Sequence, residues 1–122
     1  MNASSRRHIR YIIPEAALLS QKIHGKGLVA FFRGQSDCRV RDLSSAGALI
    51  LADRKFGIGD VVCLELTQRN GLGLRFEGKV VNCGTEPGSG KRKYGVSLTP
   101  PKRDSGEHQF LESLASSFQE AR

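Results

Sequence analysis

The sequence predicts a mainly β fold, a barrel of short antiparallel strands that is followed by a helix. Runs in which apolar and polar residues alternate, as in Val61 to Gln68, indicate strands with one buried face. The Asn70-Gly71 pair between two such runs is typical of a hairpin turn. Because the strands are short and lie in one small domain, we expect a closed barrel, which leaves no exposed edge.

Composition agrees with a single globular domain. The 122 residues are 39% hydrophobic and 25% charged, which is ordinary for such proteins. The net charge of +7 favours anionic partners such as nucleotides or nucleic acid, although a merely basic surface has the same charge. No apolar run is long enough to span a membrane and no secretory signal is evident, so we expect a cytoplasmic protein without membrane insertion.

The N-terminal residues predict a flexible basic arm over 1–13, ahead of a single domain over 14–122. Arg6, Arg7 and Arg10 lie in this arm, and the spacing of four lets Arg6 and Arg10 face the same way on a turn. Their guanidinium groups suit phosphate oxygens and the O6/N7 edge of guanine. A solvated basic tail is the alternative interpretation of the arm.

The next segments predict a helix and then strands. Good helix formers over Glu15 to Ile23 favour a short helix, with Leu18 and Leu19 facing the core, and a first strand is the alternative. From Leu28 onwards β formers predominate. Strands are expected at Leu28 to Arg33, Cys38 to Leu43, Ala46 to Ala52, Val61 to Gln68, Leu74 to Cys83 and around Tyr94 to Leu98.

The C-terminal segment predicts an amphipathic helix. Asp104 stands three residues before Glu107, as in a capping box. We expect the apolar stripe that follows to pack against the sheet or to close the barrel end, and self-association through this helix is the alternative. The stripe consists of Phe110, Leu111, Leu114 and Phe118.

The cysteines and histidines predict neither a metal site nor catalysis. Cys38, Cys63 and Cys83 each lie in an apolar stretch and are expected to be buried, reduced thiols. No CxxC or CxxH spacing occurs, so no metal site is expected. The histidines show no pairing typical of a nucleophilic triad, and we expect no enzyme activity.

The segment from Asp42 to Gly47 joins two predicted strands and contains chemistry beyond that of a turn. Asp42 can accept from paired N–H donors, and the Ser44 hydroxyl can donate and accept. Gly47 lacks a Cβ, so a backbone or a ligand can approach closely. The alternative is a turn that Ser44 stabilises and in which Gly47 supplies a positive φ.

The two motifs together, RxxxR over Arg6 to Arg10 and DxSxxG over Asp42 to Gly47, resemble those of the PilZ domain family. Gly59-Asp60-Val61-Val62, Gly78-Lys79-Val80-Val81 and Tyr94-Gly95-Val96-Ser97-Leu98 extend the resemblance along the chain. About thirty residues separate Arg10 from Asp42, which is long for the family, and the predicted helix would account for the excess.

The resemblance implies a six-stranded antiparallel barrel with a C-terminal helix, in a stand-alone bacterial receptor for the second messenger cyclic di-GMP, with no cofactor. Arg6 and Arg10 would clamp phosphates and guanine edges, and Arg7 would add a contact. Asp42 and Ser44 would meet the ligand from the barrel, and Gly47 would keep that surface low. The ordered arm would then alter the surface that an unidentified effector protein binds.

Two other functions stay open at this point. Some domains of this fold are protein-interaction adaptors that bind no nucleotide, and the complete pair of motifs disfavours that interpretation. A small nucleic-acid-binding barrel would suit the basic charge. The sequence contains no Trp and no evident aromatic stacking platform, which makes nucleic acid an unfavourable partner.

Overall fold

The computed structural model describes residues 8–27 and 34–121. Within them the chain forms seven strands and two short helices. The strands are β1 (Tyr11–Ile12), β2 (Leu18–Gly25), β3 (Ser36–Leu43), β4 (Gly47–Ala52), β5 (Val61–Gln68), β6 (Gly73–Thr85) and β7 (Arg92–Leu98). The helices are α1 (Gly106–Glu112) and α2 (Leu114–Ser117). The predicted strand at 28–33, like Arg6 and Arg7, lies outside the described residues.

Six of the strands close into an antiparallel barrel, which confirms the predicted fold class. They pair in the order β3-β2-β5-β6-β7-β4, and β4 pairs again with β3. The short β1 is an additional strand that pairs with the end of β3, with Tyr11 opposite Leu43 and Ile12 opposite Asp42. This pairing attaches the last part of the predicted arm to the barrel.

The barrel interior contains the apolar residues that the alternation predicts. Each of the last three strands turns three of its alternating side chains inward, and all nine are buried. They are Val62, Leu64 and Leu66 of β5, Leu74, Phe76 and Val80 of β6, and Tyr94, Val96 and Leu98 of β7.

The predicted helix over Glu15 to Ile23 is wrong. Only Glu15–Ala17 form a single 3-10 turn, and β2 follows at once and pairs with β5 along its length. Leu18 is buried whereas Leu19 is 52% exposed, because neighbouring side chains on a strand point to opposite faces. Burial against the barrel outweighs the helix propensity of these residues, and the long spacing between the motifs is occupied in part by a strand.

The pairing of β2 with β3 ends after two residue pairs, and a side-chain hydrogen bond replaces the next backbone one. Lys22 and Ile23 pair with Asp37 and Ser36, after which the strands diverge. The buried Gln21 reaches across the gap, and its Oε1 accepts a hydrogen bond of 2.7 Å from the backbone N–H of Val40. A buried backbone donor is thereby satisfied where no strand is available.

The C-terminal segment is helical, with a different cap from the one predicted. Ser105, not Asp104, caps α1, because its side chain accepts from the backbone N–H of His108. Glu107 instead accepts from the backbone N–H of Arg75 on β6, which ties the helix to the barrel. The stripe contacts the core, with Leu111 and Leu114 buried and Phe110 and Phe118 packed beside them.

The three cysteines differ in burial. Cys63 is buried as predicted, and Cys38 is intermediate, with a pKa that burial raises to about 12. The prediction for Cys83 is wrong, since this residue is exposed. A bulge in the pairing with β7 interrupts the alternation of β6 after Val80, and all residues from Val81 to Thr85 are exposed.

Among the described residues, none of the helices has the length and apolar character required to cross a membrane.

Candidate functional site

The DxSxxG segment forms a tight connection between β3 and β4, and the Ser44 hydroxyl holds it. This Oγ accepts from the backbone N–H of Ala46 at 3.2 Å and of Gly47 at 3.0 Å, and it donates to the Gly47 carbonyl at 3.3 Å. A hydroxyl has one donor and two acceptor positions, so the turn uses its full capacity. Ser44 is buried and acts here as a positioning residue for the loop.

Gly47 is required for close approach rather than for an unusual backbone angle. It is not among the glycines with positive φ, so the alternative interpretation, in which Gly47 supplies a positive φ to the turn, is wrong on that point. A Cβ at Gly47 would lie 3.1 Å from the carbonyl oxygen of Val96 on the neighbouring β7. The glycine therefore lets β7 pack directly against the start of β4.

A bulge in β3 places Asp42 beside the same loop. The register between β3 and β4 shifts between Val40 and Asp42, with Arg41 as the extra residue. The Asp42 side chain is only 9% exposed, and its Oδ1 has no hydrogen-bond partner among the described residues. Burial raises the pKa of this carboxyl above its ordinary value, although the nearby charges of Arg10 and Arg41 oppose the shift.

Arg10 lies across from Asp42 at the end of the arm. Its Nη1 is 3.8 Å from Asp42 Oδ1, and its side chain is 55% exposed. Its carbonyl accepts a hydrogen bond of 2.8 Å from the backbone N–H of Ala121, and the N–H of Ile12 donates to Gln119 at 2.8 Å. Arg10 is thus positioned by β3 on one side and by the C-terminal segment on the other.

These residues border an open cleft of about 550 Å³ on the outer surface of the barrel. Leu49 of β4 contributes apolar surface, and residues from the exposed end of β6 and from β7 also line the cleft. Among the lining residues are Arg10, Asp42, Ser44, Gly47, Asn82, Cys83, Lys93 and Gly95. The structure therefore brings together four of the six predicted site residues, Arg10, Asp42, Ser44 and Gly47, while Arg6 and Arg7 lie outside the described residues.

Sequence reasoning missed several residues of the cleft. His8 lines it, with Nδ1 3.1 Å from Ser45 Oγ. Lys93 lines it from β7, where it occupies an outward position beside the inward Tyr94. The alternation of β7 could have shown that Lys93 faces outward, but not which other strands share that surface.

Comparison with known proteins agrees with this architecture. The fold is similar to the motility inhibitor MotI/DgrA of Bacillus subtilis, with a TM-score of 0.66 and 17% identity over 91% of this chain and 48% of that one. It is also similar to the PilZ domain of Escherichia coli YcgR, solved with c-di-GMP, with a TM-score of 0.64 and 15% identity over 93% and 90% of the two chains.

A third similar structure is the MrkH–c-di-GMP complex from K. pneumonia, with a TM-score of 0.60 and 14% identity over 91% of this chain and 51% of that one. The chain spans about half the length of MotI/DgrA and of MrkH. Identities this low establish the fold alone, and no curated protein sequence matches the chain significantly. The model of the PilZ domain matches residues 4–116, and the chain therefore belongs to the PilZ domain family.

Proposed function

We propose that this protein is a receptor for cyclic di-GMP, in which the basic arm and the DxSxxG loop hold the dinucleotide between them. In this proposal Arg6, Arg7 and Arg10 bind phosphates and guanine edges, while Asp42 accepts from the N1–H and N2–H donors of a guanine. Ser44 contributes by holding the loop in its tight conformation, and Gly47 contributes by adding no side chain to the surface that the ligand approaches. The receptor is not an enzyme, and its output passes through an effector protein.

The observation that carries the proposal is the meeting of Arg10 with Asp42 at the edge of the cleft. A guanidinium donor and a buried carboxylate oxygen with no described hydrogen-bond partner face each other at 3.8 Å, which is longer than a hydrogen bond. Guanine offers both kinds of complement, because its O6 and N7 accept and its N1–H and N2–H donate. Buried polar groups ordinarily have partners, and a guanine would supply them here.

The energetics explain why both motifs are needed. A hydrogen bond to a charged group contributes roughly 1.5–3 kcal/mol net. Fixing the backbone of one arm residue costs about 1–2 kcal/mol. Several charged contacts must therefore form together before the arm closes, which makes the arm a candidate switch that ligand orders. Hydrogen exchange in residues 1–12 should slow when ligand is added, and an unchanged rate would refute the switch.

Calorimetric titration tests the proposal. Cyclic di-GMP is titrated at physiological salt beside GTP and cyclic di-AMP, into the wild type and Arg10→Ala. We expect selective binding by the wild type and an affinity about ten- to a hundredfold lower in the variant, which corresponds to the loss of one charged hydrogen bond. Arg75→Ala is the matched control, since Arg75 lies roughly 20 Å along β6 from Val81 at the cleft, by strand rise.

Each alternative function predicts a different result in this titration. No heat with cyclic di-GMP would refute the receptor and favour an adaptor that acts through protein contacts alone. Binding that falls equally in Arg10→Ala and Arg75→Ala, and that does not distinguish the nucleotides, would indicate a general polyanion binder. That binder would also lose affinity steeply with salt, as nucleic-acid-binding proteins do.

A further inference from the structure

A second cleft adjoins the first and shares the Arg10–Asp42 pair with it. Its volume is about 450 Å³, and it lies on the outer surface of β3, next to the loop that connects β6 and β7. Three of its lining residues, Arg10, Arg39 and Arg41, are arginines. We call it the arginine cleft. The RxxxR and DxSxxG motifs account for Arg10 and Asp42 in it and leave the other two arginines unexplained.

Arg39 has a donor that lacks an acceptor. Its Nε is buried and makes no hydrogen bond with any described residue. Arg39 pairs with Leu51 of β4 on one side of the cleft. A buried N–H without a partner costs free energy that an entering acceptor recovers, so this guanidinium is prepared for an anion.

Arg41 has an acceptor, and that acceptor is an anion of the protein itself. Arg41 is the bulged residue of β3, and its Nη1 donates to Glu86 Oε2 at 2.9 Å. A hydrogen bond from Ser89, together with the charges of Arg41 and Lys93, lowers the pKa of Glu86. Glu86 is therefore ionised at neutral pH, and its carboxylate occupies the position at which an external anion would meet Arg41.

We propose that the arginine cleft is a second anion site, which takes a phosphate group on Arg39 and Arg41 and which Glu86 partly neutralises in the free protein. The guanidinium groups present the forked donors that match phosphate oxygens. Inorganic phosphate carries more charge and more acceptor oxygens than the single carboxylate that it displaces, whereas a phosphodiester of a dinucleotide equals that carboxylate in both. Assigning this phosphate to bound cyclic di-GMP rests on the function proposed above, whereas the anion site itself does not.

Two substitutions of opposite effect test the site. Arg41→Gln removes a charged donor and should weaken phosphate binding about tenfold. Glu86→Gln keeps the shape of the side chain but removes its negative charge, and it should strengthen binding about two- to fivefold. Arg75→Gln, outside both clefts, should change nothing. A gain of affinity in Glu86→Gln cannot arise from a failure to fold.

The readout is the Arg39 Nε–Hε resonance in a nitrogen–proton correlation spectrum, assigned by its loss in Arg39→Lys. Inorganic phosphate is titrated against a chloride control of equal ionic strength, and cyclic di-GMP is titrated calorimetrically into the same variants. We expect phosphate, and not chloride, to shift this resonance saturably. No saturable shift, or equal phosphate affinity in the wild type, Arg41→Gln and Glu86→Gln, would overturn the site.

The two ligands distinguish the source of the phosphate and separate this inference from the proposed function. If both affinities follow the order Glu86→Gln, wild type, Arg41→Gln, the site takes a phosphate of the dinucleotide. If only inorganic phosphate follows this order, the site stands and takes a separate phosphate group. If the wild type binds phosphate in this way but not cyclic di-GMP, the receptor proposal fails and the anion site is retained.

Discussion

Burial and charge act on the Asp42 carboxyl in opposite directions. Desolvation raises its pKa, Arg10 and Arg41 lower it, and the balance lies above the ordinary value. The folded state therefore binds more protons than the unfolded chain between the ordinary pKa of about 4 and the raised one. The free energy of unfolding falls as pH rises through this interval, because deprotonation is harder in the folded state. Asp42 thus costs stability at neutral pH.

Asp42→Asn should separate stability from binding. The amide removes the buried charge, so the melting temperature at pH 7 should rise relative to the wild type, and the difference should shrink towards pH 4. Its affinity for cyclic di-GMP should fall about tenfold or more, because a charged acceptor is lost. Thermal unfolding at several pH values and calorimetry measure the two effects. A lower melting temperature for Asp42→Asn at pH 7 would mean that attraction to Arg10 outweighs desolvation.

At the scale of elements, β6 and β7 pack too closely for a side chain between them. A Cβ at Gly78 would lie 2.6 Å from the carbonyl oxygen of Ser97 and 2.7 Å from Val96 Cγ1. Gly78→Ala should therefore lower the free energy of unfolding by about 1–3 kcal/mol, as overpacking does. Gly73→Ala in the same strand is the control, because a Cβ there meets nothing within 4 Å. Urea unfolding compares them, and equal stabilities would contradict the close approach.

At the scale of the whole molecule, the two ends of the described chain are hydrogen-bonded to each other beside Arg10. The backbone of residues 10–12 is hydrogen-bonded to that of residues 119–121, and an isolated bridge joins Tyr11 to Glu120. The C-terminal segment follows the helices that pack on the barrel. Through these backbone hydrogen bonds it supports Arg10, although it does not line the 550 Å³ cleft.

Truncation after Phe118 should weaken cyclic di-GMP binding without unfolding the barrel. Two backbone hydrogen bonds are lost, each contributing about 0.5–1.5 kcal/mol, so the affinity should fall roughly five- to a hundredfold. The barrel should still unfold in one cooperative transition, because the core residues remain, and its free energy of unfolding should fall by no more than these two bonds contribute. A Gln119→Ala, Glu120→Ala double variant retains the backbone bonds and should bind like the wild type. Calorimetry measures the affinity of each variant for cyclic di-GMP. Full affinity after truncation would show that β3 alone positions Arg10.

Local patterns determined much of the fold. Alternation located β5 and the buried faces of β6 and β7, because a strand exposes and buries successive side chains. The Asn70-Gly71 hairpin was equally predictable from the sequence, since the backbone angles of its turn favour those residues. The segment over Glu15 to Ile23 was not, because its helix formers are overridden by pairing with β5, a contact more than forty positions away in the chain.

The candidate site was likewise predictable only in part from the sequence. The residue types and spacing of RxxxR and DxSxxG indicated a guanine and phosphate ligand, because the chemistry resides in the side chains themselves. Only the tertiary structure decided that Arg10 meets Asp42, that β7 packs against Gly47, and that Arg39, Arg41 and Glu86 form a second cleft. Those relations depend on barrel closure and on a bulge in β3, which join residues distant in sequence and leave no local pattern to read.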